Sequence, residues 1–145
     1  MRILGLDFGD RVIGVAVSDE TGSFARGLVS MPKKTWERDL PALIRENQVN
    51  LVVVGFPRSM DNRDNRQTAK VMEFMEKVRE LTGCTVTRWD ERLTSRLAER
   101  YLLAADLSRA RRKKVVDRLA AQILLQDYLD YTRRGIPLTR EAEEI

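Results

Sequence analysis

Histidine is absent from all 145 residues, and cysteine occurs once, as Cys84. The first absence excludes Ser-His-Asp and Cys-His hydrolysis, paired-imidazole ribonuclease chemistry and every metal site that needs an imidazole ligand. The second excludes an intramolecular disulfide and any thiolate cluster, and it fits a reduced, cytoplasmic setting. Aromatic residues make up only 6% of the chain and are scattered, so no platform for stacking bases is visible. No apolar run approaches the roughly 18 residues of a membrane span, and the start Met1-Arg2-Ile3-Leu4-Gly5-Leu6-Asp7 lacks the apolar stretch of a secretory signal. Neither secretion nor membrane spanning is expected. Any hydrolytic chemistry must rest on carboxylates.

The chain has enough material for one core. With 43% apolar residues, a protein of this length buries roughly 70% of its unfolded surface without needing disulfides or a structural metal. We expect one domain over residues 1–138 and a frayed, Glu-rich tail over 139–145. The 26 Lys and Arg residues exceed the 22 Asp and Glu residues, leaving a net charge of +4, a modest bias toward polyanionic partners.

The hydrophobic pattern predicts an α/β fold with a mixed five-stranded sheet flanked by helices. Ile3 to Phe8 and Val12 to Ser18 read as a hairpin turning at Gly9-Asp10-Arg11, and Leu28 to Met31 extend it to a three-stranded meander. A helix carrying Leu40, Leu43 and Ile44 follows, with Asp39 as N-cap and Pro41 in the first turn. Leu51 to Phe56 is apolar without alternation, as in a strand covered on both faces. After the polar stretch 57–65, Val71, Met72, Met75, Val78 and Leu81 mark an amphipathic helix closed by Gly83. Thr85 to Trp89 form the next strand. Thr94 can cap a further helix, and the basic segment Arg109 to Lys114 separates that helix from the last one, where Val115/Val116, Leu119/Ala120, Ile123/Leu124 and Tyr128 recur every four residues.

Three acids stand out. Asp7 lies in an otherwise apolar strand, where an unpaired carboxylate is costly to desolvate. Either it is a hydrogen-bonded turn carboxylate, or it is a metal ligand at a strand end, with Gly9 and Gly14 allowing a ligand close to the backbone. Asp90 and Glu91 follow the last strand; on an extended backbone they point apart, so one of them can face the same site as Asp7, and Glu91 is the preferred candidate. Alternatively both complement the dipole of the next helix. Asp117, taken alone, reads as a solvated helix charge. Taken together the three gain meaning, because strand ends in an α/β sheet converge at one edge where ligands bind. Three clustered carboxylates repel one another, and a hard divalent cation such as Mg²⁺ or Mn²⁺ relieves that repulsion.

The blocks Leu6-Asp7-Phe8-Gly9, Arg11 through Asp19, Val54-Gly55-Phe56-Pro57, Asp90-Glu91-Arg92-Leu93-Thr94 and Asp117 through Gln126 resemble the YqgF (RuvX) family, in the right order from Met1 to about Leu138. Two positions depart from the family pattern: Asn62 stands where Gly is usual, and Ser95 where a second Thr is common. The resemblance implies an RNase H-like fold related to the RuvC resolvases. It also implies a nuclease with Holliday junction resolvase-like chemistry that processes the 5′ end of pre-16S ribosomal RNA. Asp7, Glu91 and Asp117 match the catalytic acids of that family.

The leading expectation is thus a metal-dependent endonuclease in which water attacks a phosphodiester in line. Arg11 or Arg92 would contact the scissile or a neighbouring phosphate, the alternative for Arg92 being a structural pairing with Asp90 or Asp7. Arg58 and the run Arg111, Arg112, Lys113 and Lys114 would hold the backbone of a ribosomal RNA precursor or branched DNA without reading its sequence. One alternative is a catalytically silent nucleic-acid-binding ribosome-assembly factor. Another is an actin-like kinase or ATPase, whose phosphate hairpin also begins Asp-x-Gly, but those enzymes close two such domains around a nucleotide and this chain is long enough for one.

Overall fold

A computed structural model describes residues 2–56, 65–90 and 109–133, with the backbone alone for residues 56, 65–67, 90, 109–117 and 133. Period-two alternation of apolar residues builds a five-stranded sheet from β1 (Arg2–Phe8), β2 (Val12–Ser18), β3 (Ala25–Pro32), β4 (Val49–Phe56) and β5 (Thr85–Asp90). Their spatial order is β3-β2-β1-β4-β5. β1, β2 and β3 form the antiparallel meander expected, and β4 and β5 run parallel to β1. Three described helices cover the sheet: α1 (Trp36–Glu46), α2 (Asn65–Thr82) and α3 (Arg109–Arg133).

Strand alternation divides the core into two layers. Leu4, Leu6, Phe8, Ile13, Val15 and Val17 face α1 and α2, where they meet Leu40, Ile44, Val71, Phe74, Met75 and Val78. The opposite face is made of small residues, among them Gly5, Ala16 and Gly27, and α3 lies directly on it through Ala121, Leu124, Leu125 and Leu129. Val52 and Val54 join the first layer and Val53 the second, so the unalternating run of β4 is indeed covered on both faces.

Several boundaries differ from the sequence reading. α1 begins at Trp36, three residues before the expected N-cap Asp39, because the Trp36 side chain is buried against Phe74 and anchors the first turn. Thr35 is the N-cap, and Asp39 instead accepts a 2.7 Å hydrogen bond from the Thr35 hydroxyl. Pro41 therefore lies inside the helix rather than in its first turn. β3 starts three residues earlier than expected. A register shift beside Val15/Ala16 keeps it paired, and two glutamines of α3 satisfy its backbone: Gly27 N–H donates to Gln122 Oε1 at 3.2 Å and Ala25 N–H to Gln126 Oε1 at 2.9 Å. On α2, Met72 and Leu81 are 52% and 42% exposed, and Phe74 takes their place in the core. The buried stripe runs through Val71, Phe74, Met75 and Val78, which leaves Met72 and Leu81 off its axis. Arg109 to Lys114 do not separate two helices; they form the first turns of α3. The helix expected after Thr94 and the tail 139–145 lie outside the described residues.

The β2–β3 turn is organised by one carboxylate. Asp19 accepts from Thr21 Oγ1 at 2.6 Å, from Ser23 N–H at 2.8 Å and from Phe24 N–H at 3.0 Å. The hydrogen bond from Thr21, followed by the backbone donors, lowers its pKa from 3.8 to about 2. Since the folded state favours the charged form, Asp19 stabilises the fold above its unfolded pKa, and that contribution is lost as pH falls through 4 toward 2. Asp19→Ala should accordingly lower the melting temperature at pH 6 by an amount that shrinks steadily on acidification to pH 2. A difference constant with pH would show that the turn owes nothing to the charge.

Candidate active site

The parallel strands β1, β4 and β5 end at one edge of the sheet, and β3, which runs in the same direction as β1, ends there too. Asp7 is the next-to-last residue of β1 at this edge. Alternation turns it away from the Leu6 and Phe8 layer, onto the face that α3 covers. Its ladder partners are Gly14 on β2 and Gly55 on β4. Neither neighbour brings a side chain to flank the Asp7 carboxylate along the row. It is half-buried and makes no hydrogen bond or ion pair to any described residue. The turn-carboxylate reading of Asp7 therefore finds no partner among those residues.

The row continues outward. Gly14 pairs with Ser30 and Gly55 with Trp89, which gives the sequence Ser30, Gly14, Asp7, Gly55, Trp89 across the five strands. The Ser30 hydroxyl is buried without a hydrogen-bond partner. Trp89 packs edge-on against Tyr128 and Tyr131 of α3, with ring centroids 5.7 and 5.2 Å apart. Three of the scattered aromatics of the sequence thus assemble in space as packing for α3.

α3 sets the other side of the site. Gln126 meets Ala25, and Gln122 and Arg118 meet Gly27, so residue numbers on α3 fall as β3 and β1 advance toward their carboxyl ends. A Cβ on Gly5 would lie 2.9 Å from Leu125 Cβ and 3.4 Å from the Ala121 carbonyl oxygen. From Gly5 to Asp7 a strand advances about 6.6 Å, and from Ala121 back to 117 a helix advances about 6 Å. Backbone position 117 therefore lies on the Asp7 side of the Gly5 crossing.

Of the remaining predicted site residues, Arg11 is exposed in the turn beside this edge. Arg111, Arg112, Lys113 and Lys114 occupy the first turns of α3. Glu91 directly follows β5 in sequence, and it lies outside the described residues with Arg58 and Arg92. Among the described residues no three Asp, Glu, Cys or His side chains gather around a common point. The sequence reading missed Lys33 and Lys34, which follow β3 at the same edge; the signal was present in Pro32-Lys33-Lys34, a strand end followed by two cations.

Comparison with known proteins places this geometry. The RuvX family, described as Holliday junction resolvase, matches residues 1–131. The chain belongs to the RuvX family. Two relatives carrying the name "Putative pre-16S rRNA nuclease" are similar over most of their length. One, from Clostridioides difficile, is 50% identical over 133 residues, covering 90% of this chain and 94% of its own. The other, from Caldanaerobacter subterraneus, is 46% identical over 134 residues, covering 90% of this chain and 96% of its own. Among solved structures, Thermus thermophilus RuvC in complex with a Holliday junction substrate aligns with a TM-score of 0.53 at 19% identity, covering 93% of this chain and 97% of RuvC. The fowlpox virus Holliday junction resolvase aligns equally well at 17% identity, covering 90% of this chain and 99% of its own. RuvX membership makes this a nuclease-family protein, and its mixed sheet and helices form the RNase H-like fold expected. None of its described helices is long and apolar enough to cross a membrane.

Proposed function

We propose that this RuvX protein, with residues 1–138 as its single domain, is a metal-dependent endonuclease acting on structured nucleic acid, and that its substrate is the 5′ end of pre-16S ribosomal RNA. The observation that carries this reading is the Asp7 carboxylate, half-buried and without a partner among the described residues, between two glycines at the carboxyl edge of the sheet. Such a carboxylate suits a hard cation that accepts oxygen ligands, and Glu91 and Asp117 supply further oxygen donors of the same kind. When bound, Mg²⁺ or Mn²⁺ polarises the phosphoryl oxygen and lowers the pKa of an attacking water. Asp7 holds the charge of the site on a rigid strand, where strand pairing on both sides fixes its backbone. Gly14 and Gly55 place no side chain beside that carboxylate in the sheet. The exposed Arg11 offers a forked guanidinium to a phosphate at the same edge.

Direct cleavage tests this reading. A pre-16S ribosomal RNA fragment and a four-way DNA junction should be offered side by side in Mg²⁺ and in Mn²⁺, with the Asp7→Asn protein guarding against contaminating nuclease. Metal-dependent cut RNA is the expected result. Cleavage of the junction alone would move the substrate to branched DNA. Tight binding to both with no cleavage in either metal would overturn the catalytic reading in favour of a silent assembly factor.

The basic run should add affinity without sequence preference, because Lys and Arg contacts to phosphates release condensed counterions. Its helical setting limits the effect. Four consecutive residues spread around a full turn of α3, so about half of them can face one strand of nucleic acid. Replacing Arg111, Arg112, Lys113 and Lys114 together by Ala should flatten the slope of log affinity against log salt by about two phosphate contacts rather than four. An unchanged slope would place this end of α3 away from the substrate.

A further inference from the structure

On the α1 and α2 side of the same sheet edge lies a recess of about 170 Å³, lined by Phe8, Lys33, Trp36, Lys70, Glu73, Phe74 and Lys77. Its floor is aromatic: Phe8 stacks tilted on Phe74 at 4.5 Å between centroids, and Trp36 meets Phe74 edge-on at 4.8 Å. Lys33 is held in place. Its backbone N–H donates to the Arg11 carbonyl at 2.9 Å, and its ammonium lies 4.1 Å from the centre of the Phe8 ring. Lys77 pairs with Glu73 at 3.5 Å, whereas Lys33 and Lys70 make no ion pair with a described residue. A second recess adjoins the first through Lys33 and is lined by Asp10, Arg11, Pro32 and Lys34. The two share Lys33 and, among the described residues, together present five basic side chains against two acids.

We propose that these joined recesses form a phosphate track in which Lys33, supported by Lys34, Lys70 and Lys77, grips the substrate strand on the side of the sheet opposite Asp7. The inference rests on the nuclease reading and extends it. Phe8 follows Asp7 in the chain and points to the other face, so a strand that reaches Asp7 at the sheet edge passes over Phe8 and Lys33 on leaving it. The ring beneath the Lys33 ammonium holds the charge in place without neutralising it, and a phosphate can then approach a cation that is already positioned. Clustered ammonium groups at the end of β3 and on α2 recognise phosphate oxygens and carry no base-edge readout. The phosphate is either an internal one or a terminal 5′-phosphate, and the chemistry of contact is the same.

Binding of a fluorescent pre-16S RNA fragment in chelator, measured across a range of salt, tests the track. The Lys33→Ala/Lys70→Ala protein should lose about 1.5 from the magnitude of the slope of log affinity against log salt, and Lys33→Arg/Lys70→Arg should restore it. The control is Arg45→Ala, about 13 Å along α1 from Trp36, which should leave the slope unchanged. With and without a 5′-phosphate on the RNA, a difference in wild-type affinity that the double variant abolishes assigns the track to a terminal phosphate; a slope change without such a difference assigns it to an internal one. Wild-type binding and cleavage together with an unaltered slope in the folded double variant would overturn the track while leaving the nuclease reading intact. Equal loss in Arg45→Ala would also overturn it, since any surface charge would then serve. Failure of the wild-type protein to cleave in metal would count against the nuclease reading alone.

Discussion

Asp7→Asn should abolish cleavage, by about a thousandfold or more, equivalent to about 4 kcal/mol of lost transition-state stabilisation, while leaving the protein folded. Asparagine keeps the shape of the side chain and removes the negative charge. No described residue hydrogen-bonds or ion-pairs with the Asp7 carboxylate, so the substitution breaks no contact in the fold. The charge is half-buried, and if Glu91 and Asp117 share the site as proposed, its removal relieves repulsion in the metal-free protein. Thermal stability in chelator should therefore hold or rise. The added stability from Mg²⁺ or Mn²⁺ should shrink, because stabilisation by a ligand follows its affinity for the folded state. Nucleic-acid binding in chelator should survive, since it rests on cations elsewhere. Melting curves with and without metal, a cleavage assay and a binding titration in chelator check these four outcomes. Unfolding of the variant would make Asp7 a structural carboxylate, and cleavage at the wild-type rate would remove it from the mechanism.

Gly5→Ala should destabilise the protein by about 1–3 kcal/mol, although the same exchange in an ordinary strand stabilises by a few tenths to 1 kcal/mol. The sign is set by α3. A Cβ at Gly5 meets Leu125 Cβ at 2.9 Å, and that atom belongs to the helix backbone's immediate surroundings rather than to a flexible side-chain end. Shortening Leu125 to Ala leaves its Cβ in place, so Leu125→Ala should fail to rescue the variant and should add a cavity cost of about 2–5 kcal/mol of its own. Relief requires α3 to lift from the sheet. Lifting strains the hydrogen bonds from Ala25 and Gly27 to Gln126 and Gln122 and moves position 117 away from Asp7. Gly5→Ala should consequently lower the cleavage rate more than it lowers substrate affinity. A neutral or stabilising Gly5→Ala would show that α3 adjusts freely at this crossing.

The local elements were legible because their signals are local. Alternation marked β1 and β2, the unbroken Leu51 to Phe56 run marked a strand buried on both faces, and four-residue recurrence marked α3. Where the reading slipped, a long-range contact decided. Trp36 starts α1 early because it packs against Phe74 on α2, and β3 is lengthened by Gln122 and Gln126 from the far end of the chain. Arg109 to Lys114 looked like a connecting segment because they carry no apolar residue but Ala110, yet Lys and Arg are good helix formers and a helix can project beyond the apolar stripe that docks it.

The candidate site divides in the same way. Asp7, Glu91, Asp117, Arg11 and the family they resemble were readable from residue types and their order, since a carboxylate in an apolar strand violates the burial rule and stands out on its own. The sequence by itself therefore determined the chemistry available: oxygen ligands, no imidazole, no thiolate cluster and an excess of cations. Only the tertiary structure decided which groups share a place. Pairing put Gly14 and Gly55 on either side of Asp7, the descent of α3 along β3 carried its first turns toward the same edge, and the return of β3 to that edge brought Lys33 onto Phe8. Each of these depends on register between segments tens of residues apart, which is set by the fit of small residues beneath a helix and by the ladder of a sheet, and neither is written in the local pattern of the chain.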